Sequence, residues 1–254
     1  MKKIEPLSLG DRMKAYELKY ETTIEPENHM IIRIDGHKFS TYTRGFEKPF
    51  DGILSKAMEL TTIDLVEKFN AVMGYTQSDE ITLIIPSLMD VTKDDRKSKK
   101  HHNLDLRIKH GWKHDYSGRT QKIASLVSSF TTMKFNKHLS DLFGTRLKNS
   151  IYVQLSTPAL TEQYWADESK LFISMQETKF NNAYFDARVF SVPDDIEAFN
   201  ALLWRTKDCI RNSRNGFSNT YCSHKSLLGK NSDEQIEYCL TQTGNDWNDI
   251  DDRY

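Results

Sequence analysis

The stretch Gly74-Tyr75-Thr76-Gln77-Ser78-Asp79-Glu80-Ile81-Thr82-Leu83-Ile84-Ile85 decides the fold. Its second half, EITLII, is rich in β-branched residues and reads as a strand. The residues AVMGYTQ (71–77) before it read as a second strand, and Ser78-Asp79 as the turn of a hairpin. Two adjacent acids, Asp79 and Glu80, thus stand where a strand begins. They fit a solvated turn, or they fit oxygen ligands for a cation.

The surrounding chain supplies the rest of a sheet. HMIIRID (29–35) is a short apolar strand ending in an acid, Asp35, followed by Gly36 and a turn-rich loop to Pro49. Asp51 suits a helix N-cap. Beyond it Leu54, Met58, Leu65 and Phe69 recur on one helical face. GRTQKIASLVSSFTTMKFNKHL (118–139) returns to helix, with Ile123, Leu126, Val127, Phe130 and Met133 as its expected buried face. AYFDARVFSV (183–192) is a strand. Pro193 suits the first turn of a helix whose Ile196, Phe199 and Leu203 are expected to face inward. SLGDRMKAYE (8–17) reads as a capped N-terminal helix. Ser232-Asp233-Glu234-Gln235 has a capping-box pattern for one more short helix. Residues 145–176 carry no clear pattern, and the acidic end GNDWNDIDDRY (244–254) is expected to fray. The order β, α, β-hairpin, α, β, α implies an α+β fold: an antiparallel sheet of split β-α-β type with helices on one face.

Composition bounds the function. The chain has 254 residues, 38% hydrophobic and 28% charged, with a formal net charge of −1, as expected of a globular domain without overall basic character. Local patches still matter. The segment from about 87 to 116 is rich in Lys, Arg and His and reads as a basic insertion, either a solvated loop or an arm for phosphate. Its His101, His102, His110 and His114 match no zinc spacing. Cys209, Cys222 and Cys239 form no C-x-x-C pair and read as packing residues in a reducing compartment. No apolar signal core follows Met1 and no run nears membrane-spanning length, so the expectation is a cytoplasmic protein with no membrane partner.

Asp35 ends the first strand and Asp79 sits in the hairpin turn, so a β-α-β-β unit can bring both to one sheet edge. Two carboxylates there repel unless a cation lies between them. Mg²⁺ commonly takes one or two protein carboxylates plus substrate phosphates. Two such ions would clamp an in-line phosphoryl or nucleotidyl transfer. A pair of ordinary Asp turns, which are common, explains the same residues.

RIDGHKFS (33–40) together with GYTQSDE (74–80) closely resembles the paired motifs of the tRNA-His guanylyltransferase family. SLGDRMKAYE is similar to its like-protein branch of 3′-to-5′ RNA polymerases, and the later segments fall in the family's order, from about residue 8 to about 240. The resemblance implies a polymerase-palm-like fold, one catalytic domain over 1–254 and a homotetramer. It implies Mg²⁺ (two ions), with ATP and GTP as substrates, and tRNA or tRNA-like RNA as partner. Asp35 and Asp79 match the metal carboxylates, with the Gly36 carbonyl as a further ligand and Glu80 as a third acid. His37, Lys38, Phe39 and Ser40 match the nucleotide-binding loop, joined by Ser78; Arg119 and Lys122 match basic residues beside the triphosphate. The family's HINNLYN stretch is replaced here by DCIRNSRNGFSN (208–219), in which Asn212 survives as a residue for RNA or activation and Ile210 takes the histidine's place. Two other readings remain open: a silent RNA-binding palm protein, and a palm enzyme condensing nucleotides without RNA.

Overall fold

The computed structural model describes residues 8–88, 114–156, 170, 174–175 and 178–249. The basic insertion over 89–113, with His101, His102 and His110, and the last residues 250–254 lie outside the described residues.

The strands are β1 (His29–Gly36), β2 (Met73–Gln77), β3 (Glu80–Ile85) and β4 (Phe185–Val192). They form one antiparallel sheet in the order β2-β3-β1-β4. β1 and β2 therefore run parallel with β3 between them, the split β-α-β arrangement. The crossover from β1 to β2 is the helix Gly52–Phe69, which follows the single turn of helix Phe39–Tyr42. Asp51 caps the crossover helix, accepting from Ile53 N and Leu54 N at 2.9 Å each. A long helix, Thr120–Ser156, lies beside it, so the segment from 145 that carried no pattern begins as a continuation of helix.

These two helices cover one face of the sheet. The even residues of β1 (Met30, Ile32, Ile34) and the odd residues of β3 (Ile81, Leu83, Ile85) meet Met58, Leu65, Phe69, Val127, Phe135 and Leu139 in the main core. The long helix buries Ile123, Val127, Phe135, Leu139 and Phe143, all four residues or a multiple of four apart. Met133, expected in that face, is 56% exposed. It stands two residues from Phe135, about 200° around the helix.

Helices also occupy the other face, contrary to the one-face expectation. Helix Asp195–Tyr221 packs Ala198 and Leu202 against Ile31 and Ile84. Ile196 and Phe199, expected inside, are 71% and 64% exposed, and Leu203 is exposed as well. The most apolar stripe of this helix faces away from the sheet, and the stripe holding Ala198, Leu202 and Arg205 faces it. The N-cap is Asp194, which accepts from Glu197 N at 2.9 Å, so Pro193 lies just outside the helix.

The termini follow local rules. Ser8 caps helix Leu9–Leu18 through Asp11 N at 3.1 Å. The last long element, Ser232–Thr243, carries a capping box one residue earlier than the sequence suggests: Asn231 is the cap and Glu234 reaches back to Asn231 N at 2.8 Å. The described part of the acidic end is docked, with Trp247 Nε1 donating to Ser213 Oγ at 3.0 Å. His114 is buried, its Nε2 3.0 Å from the Asn28 carbonyl, so it belongs to the packed body and not to a solvated loop. Among the described residues no helix is long and apolar enough to cross a membrane.

Candidate active site

The acids gather at one corner of the sheet. In the β1–β3 ladder Asp35 stands directly opposite Glu80, and in the β1–β4 ladder it stands opposite Asp186. Directly opposed residues share a face, with Cα atoms about 4.5–5.5 Å apart. The backbone ties the fourth acid to this row: Gly36 N donates to the Asp79 carbonyl at 3.0 Å. Ser78 forms the turn with φ 48° and donates its hydroxyl to Asp79 Oδ1 at 3.0 Å. The hairpin turn therefore brings Asp35 and Asp79 together, as the sequence implies.

Asp79 has its carboxyl pushed above the ordinary carboxylate range. Desolvation is the largest cause, opposed by the Ser78 hydroxyl and a backbone hydrogen bond, and the charges of Asp35 and Glu80 add to it. Among the described residues neither Asp35 nor Asp79 has an ion-pair partner. Glu80 differs. It is buried and accepts from Arg205 twice, Oε1 from Nε at 2.5 Å and Oε2 from Nη2 at 2.7 Å. Asp186 is exposed, 3.8 Å from Arg188 Nη2.

Among the described residues no three His, Cys, Asp or Glu side chains converge as a closed metal cage. The donor set at the corner is two uncompensated carboxylates and nearby backbone carbonyls, all oxygen. That set fits Mg²⁺, which keeps several waters and needs few protein ligands.

The loop after β1 is held from behind. His37 N donates to the Tyr184 carbonyl at 2.9 Å, and the two rings stack at 4.8 Å and 21°. Lys38 is exposed with φ 53°, and Ser40 is exposed. Phe39 is a core residue: its ring lies among Tyr42, Phe135 and Phe185 at 4.8, 5.6 and 5.1 Å. It anchors the loop and offers no free face to a nucleotide. Gly36 makes that anchoring possible, because a Cβ there would lie 2.2 Å from Phe39 Cδ2.

Arg119 and Lys122 are not brought to the acids within one chain. Their neighbours Tyr116 and Ile123 line a small cavity with Met30 and Ile85. Met30 pairs with Ile85 five residues below the Asp35–Glu80 pair, about 17 Å along the strands. Arg119 Nε donates to the Tyr116 carbonyl at 3.2 Å, and Lys122 Nζ lies 5.9 Å from the Tyr116 ring centroid. Asn212 is closer to the corner in connectivity: its Nδ2 is 3.4 Å from Asp208 Oδ2, which also accepts from Arg205 at 2.8 Å.

Sequence reasoning missed Arg33, Asp186, Trp204 and Arg205. Arg33 shares the acid face, two residues before Asp35, with its guanidinium 5.2 Å from the ring centroid of half-exposed Trp204. Arg188 stands opposite Arg33. A charge inside an apolar strand was the available signal for Arg33 and Asp186. Helix residues Trp204 and Arg205 gave none.

Comparison with known proteins places the fold in a family. The family profile of tRNAHis guanylyltransferase matches residues 10–193. An uncharacterized protein of Acanthamoeba polyphaga mimivirus is 36% identical over 245 residues, covering 95% of this chain and 73% of that protein. A bacterial tRNA(His) guanylyltransferase (Thg1)-like protein, solved in complex with ATP, superposes with a TM-score of 0.68 at 28% identity, covering 96% of this chain and 83% of that one. A bacterial protein of the same description, in complex with GTP, superposes at 0.60 and 28% identity, covering 85% and 78%. The four-stranded antiparallel sheet with its packed helices is the α+β fold of these structures. The chain belongs to the tRNAHis guanylyltransferase family of nucleotidyltransferases.

Proposed function

We propose that this protein is a Mg²⁺-dependent 3′-5′ nucleotidyltransferase that adds GTP or another nucleoside triphosphate to the 5′ end of tRNA or tRNA-like RNA. The observation that carries the reading is the Asp35–Asp79 corner, where two acids with no cationic partner among the described residues are joined through the Gly36–Asp79 backbone bond at 3.0 Å. The ATP and GTP complexes of the bacterial relatives support nucleoside triphosphates as substrates.

The carboxylates of Asp35 and Asp79 and the Gly36 carbonyl would hold two Mg²⁺ ions. Bound there, the ions supply charge neutralisation for the attacking and leaving oxygens of an in-line displacement. The RNA 5′ phosphate is first activated: its oxygen bonds to the α-phosphorus of ATP and pyrophosphate leaves, giving an adenylylated end, or a 5′ triphosphate is already present. The 3′-hydroxyl of the incoming nucleoside triphosphate then forms a new bond to that 5′ phosphorus, and the bond to AMP or pyrophosphate breaks. Ser78, His37, Lys38 and Ser40 line the loop and turn beside the acids and serve the triphosphate. Arg33 and Arg188, on the same face, present guanidiniums to phosphate oxygens. Arg119 and Lys122 stand at the far end of the sheet and are left out of the site on the same chain.

The protein acts as an assembly of identical copies. The exposed stripe Ile196, Phe199, Leu203 and Ile210 on one helix supports this, since large apolar patches on a soluble surface mark interfaces. A homotetramer is the assembly proposed, in the cytoplasm.

Incubation with Mg²⁺, ATP, labelled GTP and two RNAs tests the reaction and its substrate. One RNA is a tRNA lacking its first 5′ nucleotide; the other is tRNA-His without its extra guanosine. Replacement of HINNLYN by a segment with Ile210 in the histidine's place favours extension of the truncated RNA. Extension of neither RNA would contradict the proposed function.

A further inference from the structure

Glu80 and Arg205 are 125 residues apart and form the most buried ion pair of the corner, each side chain 10% exposed. The Arg205 guanidinium also donates to Asp208 Oδ2 at 2.8 Å and lies 4.6 Å from the Trp204 ring centroid. Asp208 in turn bonds Arg211. Two acids and two guanidiniums thus balance one another, beside a pair of acids that have no ion-pair partner among the described residues. Both Glu80 oxygens point at the helix, and turning them to a cation would break a buried two-pronged contact.

We propose that Glu80 is a positioning residue that acts through Arg205, and not a third ligand of the cations held by Asp35 and Asp79. This rests on the nucleotidyltransferase reading above. Glu80 follows Asp79 in the chain and faces Asp35 across the sheet, so its bolt to helix Asp195–Tyr221 fixes both acids at once. The same bolt reaches Asn212 through Asp208, coupling the acid corner to the segment that departs from the family pattern.

The test measures Mn²⁺ binding by electron paramagnetic resonance, because Mn²⁺ takes the same oxygen sites as Mg²⁺. It measures kcat and KM for GTP on the same proteins. In Glu80→Gln, Mn²⁺ affinity stays within about threefold of wild type while kcat falls by at least about tenfold. In Asp79→Asn, Mn²⁺ affinity falls by more than about tenfold. Arg205→Gln lowers kcat as Glu80→Gln does, with little change in KM for GTP, and the double variant is no worse than either single one. Arg205→Lys recovers part of kcat, since it keeps the charge without the planar fork.

Loss of Mn²⁺ affinity in Glu80→Gln equal to that in Asp79→Asn makes Glu80 a ligand and overturns the proposal. So do wild-type kcat in Arg205→Gln, or additive losses in the double variant. If Glu80→Gln does not fold, Arg205→Lys decides: the proposal expects lowered kcat at unchanged melting temperature and Mn²⁺ affinity, and full kcat overturns it. If the wild type binds Mn²⁺ but extends no RNA, the nucleotidyltransferase reading fails, and the Mn²⁺ result for Glu80→Gln still decides the role of Glu80.

Discussion

Asp35 and Glu80 stand opposite each other on neighbouring strands, yet among the described residues only Glu80 has a counter-charge, the Arg205 guanidinium at 2.5 Å. The adjacent Asp79 joins Asp35, and neither has a cationic partner among the described residues. The corner is therefore split into a neutral bolt and a pair of bare acids. The first is suited to hold, the second to bind a cation.

On the proposed function, loss of either bare acid removes the cation site. Asp35→Ala and Asp79→Asn are expected to lower 5′-end nucleotide addition on the order of 10³-fold, as when a principal electrostatic stabiliser is lost. Far-ultraviolet circular dichroism should match wild type. Retained activity in either variant would show that the acids do not hold the cations of the reaction.

The raised carboxyl of Asp79 gives a stability prediction with a definite sign. An acid with a raised folded-state pKa makes the folded state bind more protons than the unfolded state, so its contribution to stability is present below the ordinary aspartate pKa and is lost as pH rises through the raised one. At neutral pH in EDTA, Asp79→Asn should melt higher than wild type. Mg²⁺ should raise the melting temperature of wild type and much less that of Asp79→Asn. Thermal melts with and without Mg²⁺ check both points.

Gly36→Ala places a methyl group 2.2 Å from the Phe39 ring. That ring is packed against Phe135 and Phe185 and cannot swing freely. Overpacking should cost about 1–3 kcal/mol in urea unfolding. Activity should fall as well, because the displaced backbone carries Asp35. Phe39→Ala should cost about 3–5 kcal/mol, the signature of a core anchor. A Phe39→Ala protein of wild-type stability with a raised KM for GTP would show a nucleotide contact instead.

The exposed stripe on helix Asp195–Tyr221 predicts a change of assembly. Phe199→Asp with Leu203→Asp should shift the sedimentation mass toward smaller species while the circular dichroism spectrum stays the same. An unchanged mass would mean that this stripe covers no second copy.

Periodicity exposed the parts of the fold that local rules govern. The hairpin around Ser78-Asp79, the Asp51 cap and the Leu54-to-Phe69 face all follow from turn chemistry and from steps of three and four residues. It misjudged helix Asp195–Tyr221 because the largest apolar residues there face away from the sheet, while small Ala198 fits close to Ile31. The acids Asp35 and Asp79 were legible as strand-end carboxylates, and the motif resemblance raised them to site residues. Arg205 was not, since a lone Arg in an amphipathic helix looks like a surface charge until tertiary packing sets it against Glu80. Phe39 looked like loop chemistry and is core, because Gly36 lets its ring fold back beneath the strand.

The most direct measurement is the position of the new nucleotide. Wild-type protein and Asp79→Asn are incubated with Mg²⁺, ATP, labelled GTP and 5′-truncated tRNA, and the product is mapped from both ends. The account predicts label joined at the 5′ end by wild type and none by Asp79→Asn. Label at the 3′ end, or equal 5′ labelling by Asp79→Asn, would contradict it.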